Sequence, residues 1–146
     1  MLGYSISLTA DDNDTVLVTC PALPELTTFG VDLADARRHA VDAIEEAIAA
    51  RIADNEAVPK PQRKAAKRVS DETWVSLPML SLLKIQLYIV MRESKTSRAE
   101  LARRLGWGRE QVDRLFRLGH HSRIDQIEQA FRALHHRIDV EVRECA

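Results

Sequence analysis

Cysteine is scarce in this chain of 146 residues: Cys20 and Cys145 are its two thiols. They supply neither a disulfide framework nor a metal knuckle, so free thiols in a cytoplasmic protein are expected. Long apolar runs are lacking as well. The longest, Leu87-Tyr88-Ile89-Val90-Met91, falls far short of the roughly 20 residues a membrane span needs. The start Met1-Leu2-Gly3-Tyr4 has no basic segment leading into an apolar core, so no secretory leader is expected. Net charge is nearly missing too, with 21 basic against 22 acidic residues and a total of −1. Taken as one number, that argues against a nucleic-acid partner. What the chain does have is 45% apolar residues, ordinary for a globular protein and too many for a wholly disordered one. The length suits one domain or two small ones.

The near-zero charge conceals a division. Residues 1–58 carry 11 acidic and 3 basic side chains, a net of −8. Residues 59–73 carry 5 basic and 2 acidic, and residues 74–146 carry 13 basic and 9 acidic. The switch falls in PKPQRKAAKR, Pro59–Arg68, which has two prolines and no large apolar side chain. Such a stretch has little with which to bury a face, so residues 59–72 are expected to form a solvated linker or loop. Two domains follow, 1–77 and 78–146, with that loop inside the first.

In the first domain, Tyr4, Ile6 and Leu8 alternate with Ser5, Ser7 and Thr9, the period-2 pattern of a half-buried strand. Asp11-Asp12-Asn13-Asp14 is turn chemistry, and Thr15–Cys20 reads as the returning strand, ended by Pro21 and Pro24. Leu26–Val31 suggests a third strand, stopped at Gly30. Asp32 is placed to cap a long helix running to about Ala53, with Asp35 in its first turn. Its apolar face is Val41, Ile44, Ile48 and Ile52, with Ala40 and Ala47 alongside. Thr73–Leu77 suggests a fourth strand. The fold class is α+β, with a small β-β-β-α-β unit first. No catalytic set is visible in it: Asp11, Asp12 and Asp14 lack the glycine and glutamate of a calcium loop, and His39 has no second ligand at metal spacing. What remains is an acidic surface suited to a basic partner.

The second domain reads as all-helical. Ser81 is placed to cap a helix to about Arg92 that is apolar nearly all round and therefore buried. Ser97–Gly119, SRAELARRLGWGREQVDRLFRLG, is more informative. Ser97 and Glu100 have capping-box spacing, Gly106 suits the left-handed turn that ends the helix, and Trp107 fills the corner. A second helix is expected over Arg109–Arg117. Ala102 permits close approach, while Val112 and Leu115, six and nine residues past Gly106, seal the crossing. That is the spacing of a helix-turn-helix; a plain helical hairpin is the simpler alternative. Gly108, Arg109, Glu110, Asp113, Arg114 and Arg117 fall on the outer face, where arginine can fork onto guanine and a carboxylate can accept from cytosine. The carboxylates can equally serve only to orient the arginines. Arg98 and Arg123 are expected at the phosphate backbone. Ser122 is placed to cap a last helix, Arg123–His135, with Ile124, Ile127, Phe131 and Leu134 inward. The pairs His120/His121 and His135/His136 lack zinc-ligand geometry, and no metal or cofactor is expected. Ile138–Glu144 alternates like a strand; it needs a partner edge, so a homodimer or higher homo-oligomer is expected, matching palindromic operator DNA.

The stretches YSISLTADDNDTVLVTCPALPEL, DAIEEAIAARI, WVSLP and SRAELARRLGWGREQVDRLFRLGHHSRIDQIEQAF together resemble the HicB family of antitoxins from bacterial type II toxin–antitoxin systems. The similarity is to the branch with a C-terminal helix-turn-helix and covers nearly the whole chain. It implies a reduced RNase H-like first domain without nuclease activity, a HicA-type mRNA interferase as partner, and repression of the pair's own operon. The acidic module would cap the basic face of an RNA-gripping toxin, with Asp11, Asp12 and Asp14 as candidate contacts. Two other readings are a stand-alone helix-turn-helix regulator with a ligand-sensing first domain, and a nuclease. No pocket-lining aromatic or polar cluster favours the former, and no catalytic set favours the latter.

Overall fold

The computed structural model describes residues 2–65 and 73–145. The expected first strand is split. β1 (Leu2–Ser5) and β2 (Ser7–Ala10) are separated at Ile6, whose amide donates to the Thr73 carbonyl at 2.9 Å. The split sends the two pieces into different sheets. β2 pairs with β3 (Val16–Cys20), which pairs with β4 (Leu23–Gly30), all antiparallel. β1 lies between β5 (Gln62–Arg63) and β6 (Trp74–Val75), also antiparallel. β4 starts three residues earlier than the sequence suggests and contains Pro24. As an edge strand it tolerates a residue without an N–H.

Where it is described, the basic segment keeps most of its side chains exposed while its backbone is tied to β1. Gln62 and Arg63 pair with Gly3 and Leu2, Pro61 is buried, and the Tyr4 hydroxyl donates to the Pro59 carbonyl at 2.9 Å. Lys60 reaches Glu93 at 2.5 Å. Backbone pairing and a single buried proline do this without a large apolar side chain. The rest of the expected linker, residues 66–72, lies outside the described residues.

α1 (Leu33–Ala53) begins where the sequence places it. Asp32 accepts from the Asp35 amide at 2.8 Å, and Asp35 accepts from the Val31 amide at 3.0 Å. That backbone donor, followed by Arg38, holds the Asp35 carboxyl below the usual aspartate range. Ala36, Ala40, Ile44, Ile48 and Ile52 form its buried stripe at i, i+4 spacing, packed over β3 and β4. Val41 and Ala47, expected on that face, are half-buried at its margin. Gly30 makes the junction possible, since a Cβ there would sit 2.2 Å from the Ala36 nitrogen.

α2 (Met79–Glu93) starts after Pro78, two residues before the expected cap. Ser81 is instead buried in the first turn and donates to Glu45 of α1 at 2.6 Å. The helix buries Leu82, Ile85, Leu87, Tyr88, Ile89 and Met91, and Tyr88 donates to the Glu56 carbonyl at 2.7 Å. It is packed against α5 (Ile124–Ala133), which in turn meets α3 (Arg98–Leu105). α3 and α4 (Arg109–Leu115) pack on each other. The buried side chains form one continuous cluster from Tyr4 to Leu134.

Two features of the last helix differ from expectation. Ser122 does not cap it; its hydroxyl donates to the Arg114 carbonyl at 3.3 Å, and Arg123 stands at the N-cap. Ile124, expected inward, is 57% exposed in the first turn of the helix. Residues 136–145 form no strand in the single chain, and Val140 and Val142 are 82% and 91% exposed. A two-residue alternation supplies a strand's faces but not a neighbour to bond to. No helix among the described residues is long and apolar enough to cross a membrane.

Candidate functional site

The best-formed polar surface lies on α3, α4 and the turn between them. Ser97 accepts from the Glu100 amide at 3.1 Å and so caps α3. The Glu100 carboxylate does not return to the cap; it pairs with Arg103 and, at 3.4 Å, with Arg104. Gly106 ends α3 at φ 69°, the left-handed conformation its lack of a Cβ permits. Gly108 is the N-cap of α4. Leu101, Ala102, Val112, Leu115 and Phe116 are buried, with Trp107 half-buried at the corner. The inward set therefore packs as the spacing demands.

On the outer face the carboxylates are committed to arginines. Asp113 Oδ1 accepts from Arg98 Nη1 and from Arg109 Nε, each at 3.1 Å. Glu110 accepts from Arg117 at 3.3 Å and pairs with Arg114 at 3.8 Å. Partial burial pushes the Asp113 carboxyl up, but hydrogen bonds from Arg109 and Arg98 outweigh it and leave it below the usual aspartate range. Of the two roles open to Asp113 and Glu110, this geometry matches arginine orientation.

Arg98, expected at the phosphate backbone, is largely buried. Its side chain is only 18% exposed, with the guanidinium 5.0 Å from the Phe116 ring centroid and near the Ile52 carbonyl at the end of α1, 3.5 Å away. Arg123 is exposed and paired with Asp125 at 2.8 Å. Arg109, Arg114 and Arg117 remain largely accessible on one side.

Sequence reasoning missed Lys84. Fully buried, its ammonium donates to the carbonyls of Arg114, Arg117 and His120 at 3.0, 2.6 and 2.6 Å. These are carbonyls that the end of α4 and the following loop leave without helical partners. Burial pushes the lysine down to about 8. The lone charge in Leu82–Met91 was the available signal, since an unpaired lysine on an otherwise apolar helix must find acceptors.

The other candidates lie far along the chain. Asp11, Asp12 and Asp14 form the exposed tip of the β2–β3 hairpin, where Asp11 accepts from the Asp12 amide at 2.8 Å and Asp14 adopts φ 58°. His39 is exposed and bonded to the Phe29 carbonyl. Phe29, Val31 and Leu33 form an exposed apolar corner where β4 meets α1. Among the described residues no group of three His, Cys, Asp or Glu side chains could hold a metal. The His120 ring bonds Ser122, and that of His136 the Leu134 carbonyl.

The sequence that builds this small two-sheet α+β unit and its helical part matches a known family. The family described as HicB-like antitoxins of bacterial toxin–antitoxin systems matches residues 3–86. The chain belongs to that family. Antitoxin HicB of Pseudomonas fluorescens (strain Pf0-1) is 37% identical over 138 residues, covering 94% of this chain and 92% of that protein. Antitoxin HicB of Escherichia coli (strain K12) is 30% identical over 133 residues, covering 91% and 94%. Antitoxin HicB 1 of Photorhabdus laumondii is 27% identical over 141 residues, covering 97% and 87%. The family match ends inside α2, while these relatives extend across the arginine-bearing helices as well.

Proposed function

We propose that the chain is an antitoxin that neutralises a HicA-type mRNA interferase with residues 1–77 and represses its own operon through residues 78–146. In this reading the first domain is a reduced RNase H-like unit with no catalysis of its own. α3 and α4 act as a helix-turn-helix, with α4 in the major groove of operator DNA, in a cytoplasmic protein that works as a homodimer. The observation that carries it is the α3–Gly106–α4 unit, with its crossing sealed by Ala102, Val112 and Leu115 and its outer side lined by Arg109, Arg114 and Arg117.

Each charged group then has a role. Arg109 reads a base edge, ordered by Asp113; Arg114, Arg117 and Arg123 neutralise phosphates. Gly108 keeps the entry to α4 slim, and Glu110 spaces two of the arginines. Arg98 contributes from beneath by fixing Asp113. The acidic hairpin, Asp11, Asp12 and Asp14, steers a basic toxin on encounter. The tail Ile138–Glu144 supplies an edge for the same tail of a second copy, because its exposed valines alternate with Asp139, Glu141 and Arg143.

The test is co-purification with the product of the adjacent small reading frame and a shift assay on the DNA upstream of the pair. A stable complex that restores growth, with upstream DNA retarded, is the expected result. Absence of both contradicts the reading. DNA binding without any toxin complex would mean the stand-alone regulator instead.

A further inference from the structure

A cavity of about 540 Å³ opens between the C-terminal end of α1 and the outer side of α4. Arg98, Arg109 and Arg117 line it with Asp113; Arg98 and Arg109 hold that carboxylate, while Arg117 is held by Glu110. Phe116 and Ile52 give it an apolar wall. The Arg98 Nε–H is buried without an acceptor, an unusual state for a polar group, while Nη1 donates to Asp113 and Nη2 lies near the Ile52 carbonyl. The other two arginines are engaged through one nitrogen each: Arg109 through Nε on Asp113 and Arg117 through Nη1 on Glu110. Both keep 59% of their side chains exposed.

We infer that this cavity is an oxyanion site for a phosphate-type group, with Arg98 as its inner donor and Arg109 and Arg117 at its rim. One planar fork suffices for a carboxylate, whereas forks arriving from three residues suit a tetrahedral group with several oxygens. The apolar wall removes water from one side and strengthens each charged contact. Asp113 holds Arg98 and Arg109 in place without the ligand and competes with it for the same donors. Because α1 supplies part of the wall, the bound group touches the first half of the chain as well as α4. The phosphate-type group is that of a free phosphorylated small molecule or that of a nucleic-acid backbone. Only the second source rests on the operator-binding reading.

The test is calorimetric titration of the full chain with inorganic pyrophosphate, with acetate at matched ionic strength as control. Saturable binding near one site per chain is expected. Arg109→Gln combined with Arg117→Gln, both rim positions, should weaken it about tenfold, and Asp113→Asn should tighten it several-fold. Arg103→Gln combined with Arg132→Gln, on other surfaces, should leave it unchanged. Non-saturable binding, equal binding of acetate, or an equal loss in the Arg103/Arg132 control overturns the site. Adding upstream duplex DNA separates the sources. Displacement of pyrophosphate by the duplex assigns the site to backbone phosphate and makes Arg109 a phosphate contact in place of a base reader; joint binding assigns it to a free ligand. If the duplex does not bind while pyrophosphate does, the site stands and the operator reading falls.

Discussion

The tip of the β2–β3 hairpin and the α3–α4 face hold their charges in different ways. At the β2–β3 hairpin, Asp11, Asp12 and Asp14 stand in solvent, and no salt bridge involves them among the described residues. On α3 and α4 almost every carboxylate is tied to arginine, with Asp113 bridging Arg98 and Arg109 and Glu110 bridging Arg114 and Arg117. Free like charges repel and radiate a field, which suits long-range steering. Paired charges hold side chains in fixed directions, which suits recognition at contact. The sign of a surface therefore says less about its role than the way its charges are constrained.

The largest expected effect breaks the support beneath the arginine face. Lys84→Ala removes the charged donor shared by three buried carbonyls, which keep only their weaker loop partners, and leaves a void in the core; it should cost about 3 kcal/mol in denaturant unfolding. Lys84→Met refills the volume alone; if it restored full stability, the carbonyls would not need the ammonium. Next, Arg109→Ala should cost about 1–3 kcal/mol in operator binding and flatten discrimination between the operator and a mutated site. Equal losses on both DNAs would make Arg109 a phosphate contact. Arg98→Ala should lower folding stability by about 1–2 kcal/mol, through the freed Asp113 bridge and the lost packing on Phe116. An unchanged melting temperature would show that neither the bridge nor the packing on Phe116 adds to stability.

Acid should weaken the paired carboxylate beneath the arginine face. The folded-state carboxyl of Asp113 lies below its unfolded value of about 3.9. Its contribution to stability is therefore complete above that value and is lost as the pH falls through the folded one. Asp113→Asn should make the acid limb of the unfolding curve shallower, and an unaltered limb would show that the bridge adds nothing. The smallest stability effect belongs to the hairpin: Asp11→Asn with Asp12→Asn should change it by less than about 0.5 kcal/mol, while slowing toxin association at low salt. Stopped-flow rates that do not depend on these acids would remove them from the toxin contact.

Much of this arrangement was legible where local chemistry decides the outcome. Asp32 caps α1, Ser97 caps α3, and Gly106 takes the left-handed turn, because each depends on neighbours within a few residues. The inward faces of α1 and α4 followed from helical periodicity, and the burial of α2 from its nearly continuous apolar surface. What could not be read depends on distant partners. Tyr4, Ile6 and Leu8 keep one alternation, yet the backbone changes sheets at Ile6 because β6 and β3 claim different sides of it. Pro59–Arg63 lacks apolar bulk but docks through Leu2, Gly3 and Tyr4. Ser81 and Ser122, both plausible caps, are recruited instead by Glu45 and the Arg114 carbonyl. Among the candidate site residues, the exposed arginines followed from spacing. The inward turn of Arg98 depends on Phe116 and Ile52, and the role of Lys84 on carbonyls about 30 residues away.

The central claim is that two differently charged surfaces of one chain serve two partners. Its most direct test is the affinity of a single variant, Arg109→Gln with Arg117→Gln, for operator DNA and for toxin in parallel. The account predicts at least tenfold weaker operator binding with toxin affinity unchanged. Equal losses for both partners, or a loss confined to toxin, would contradict it.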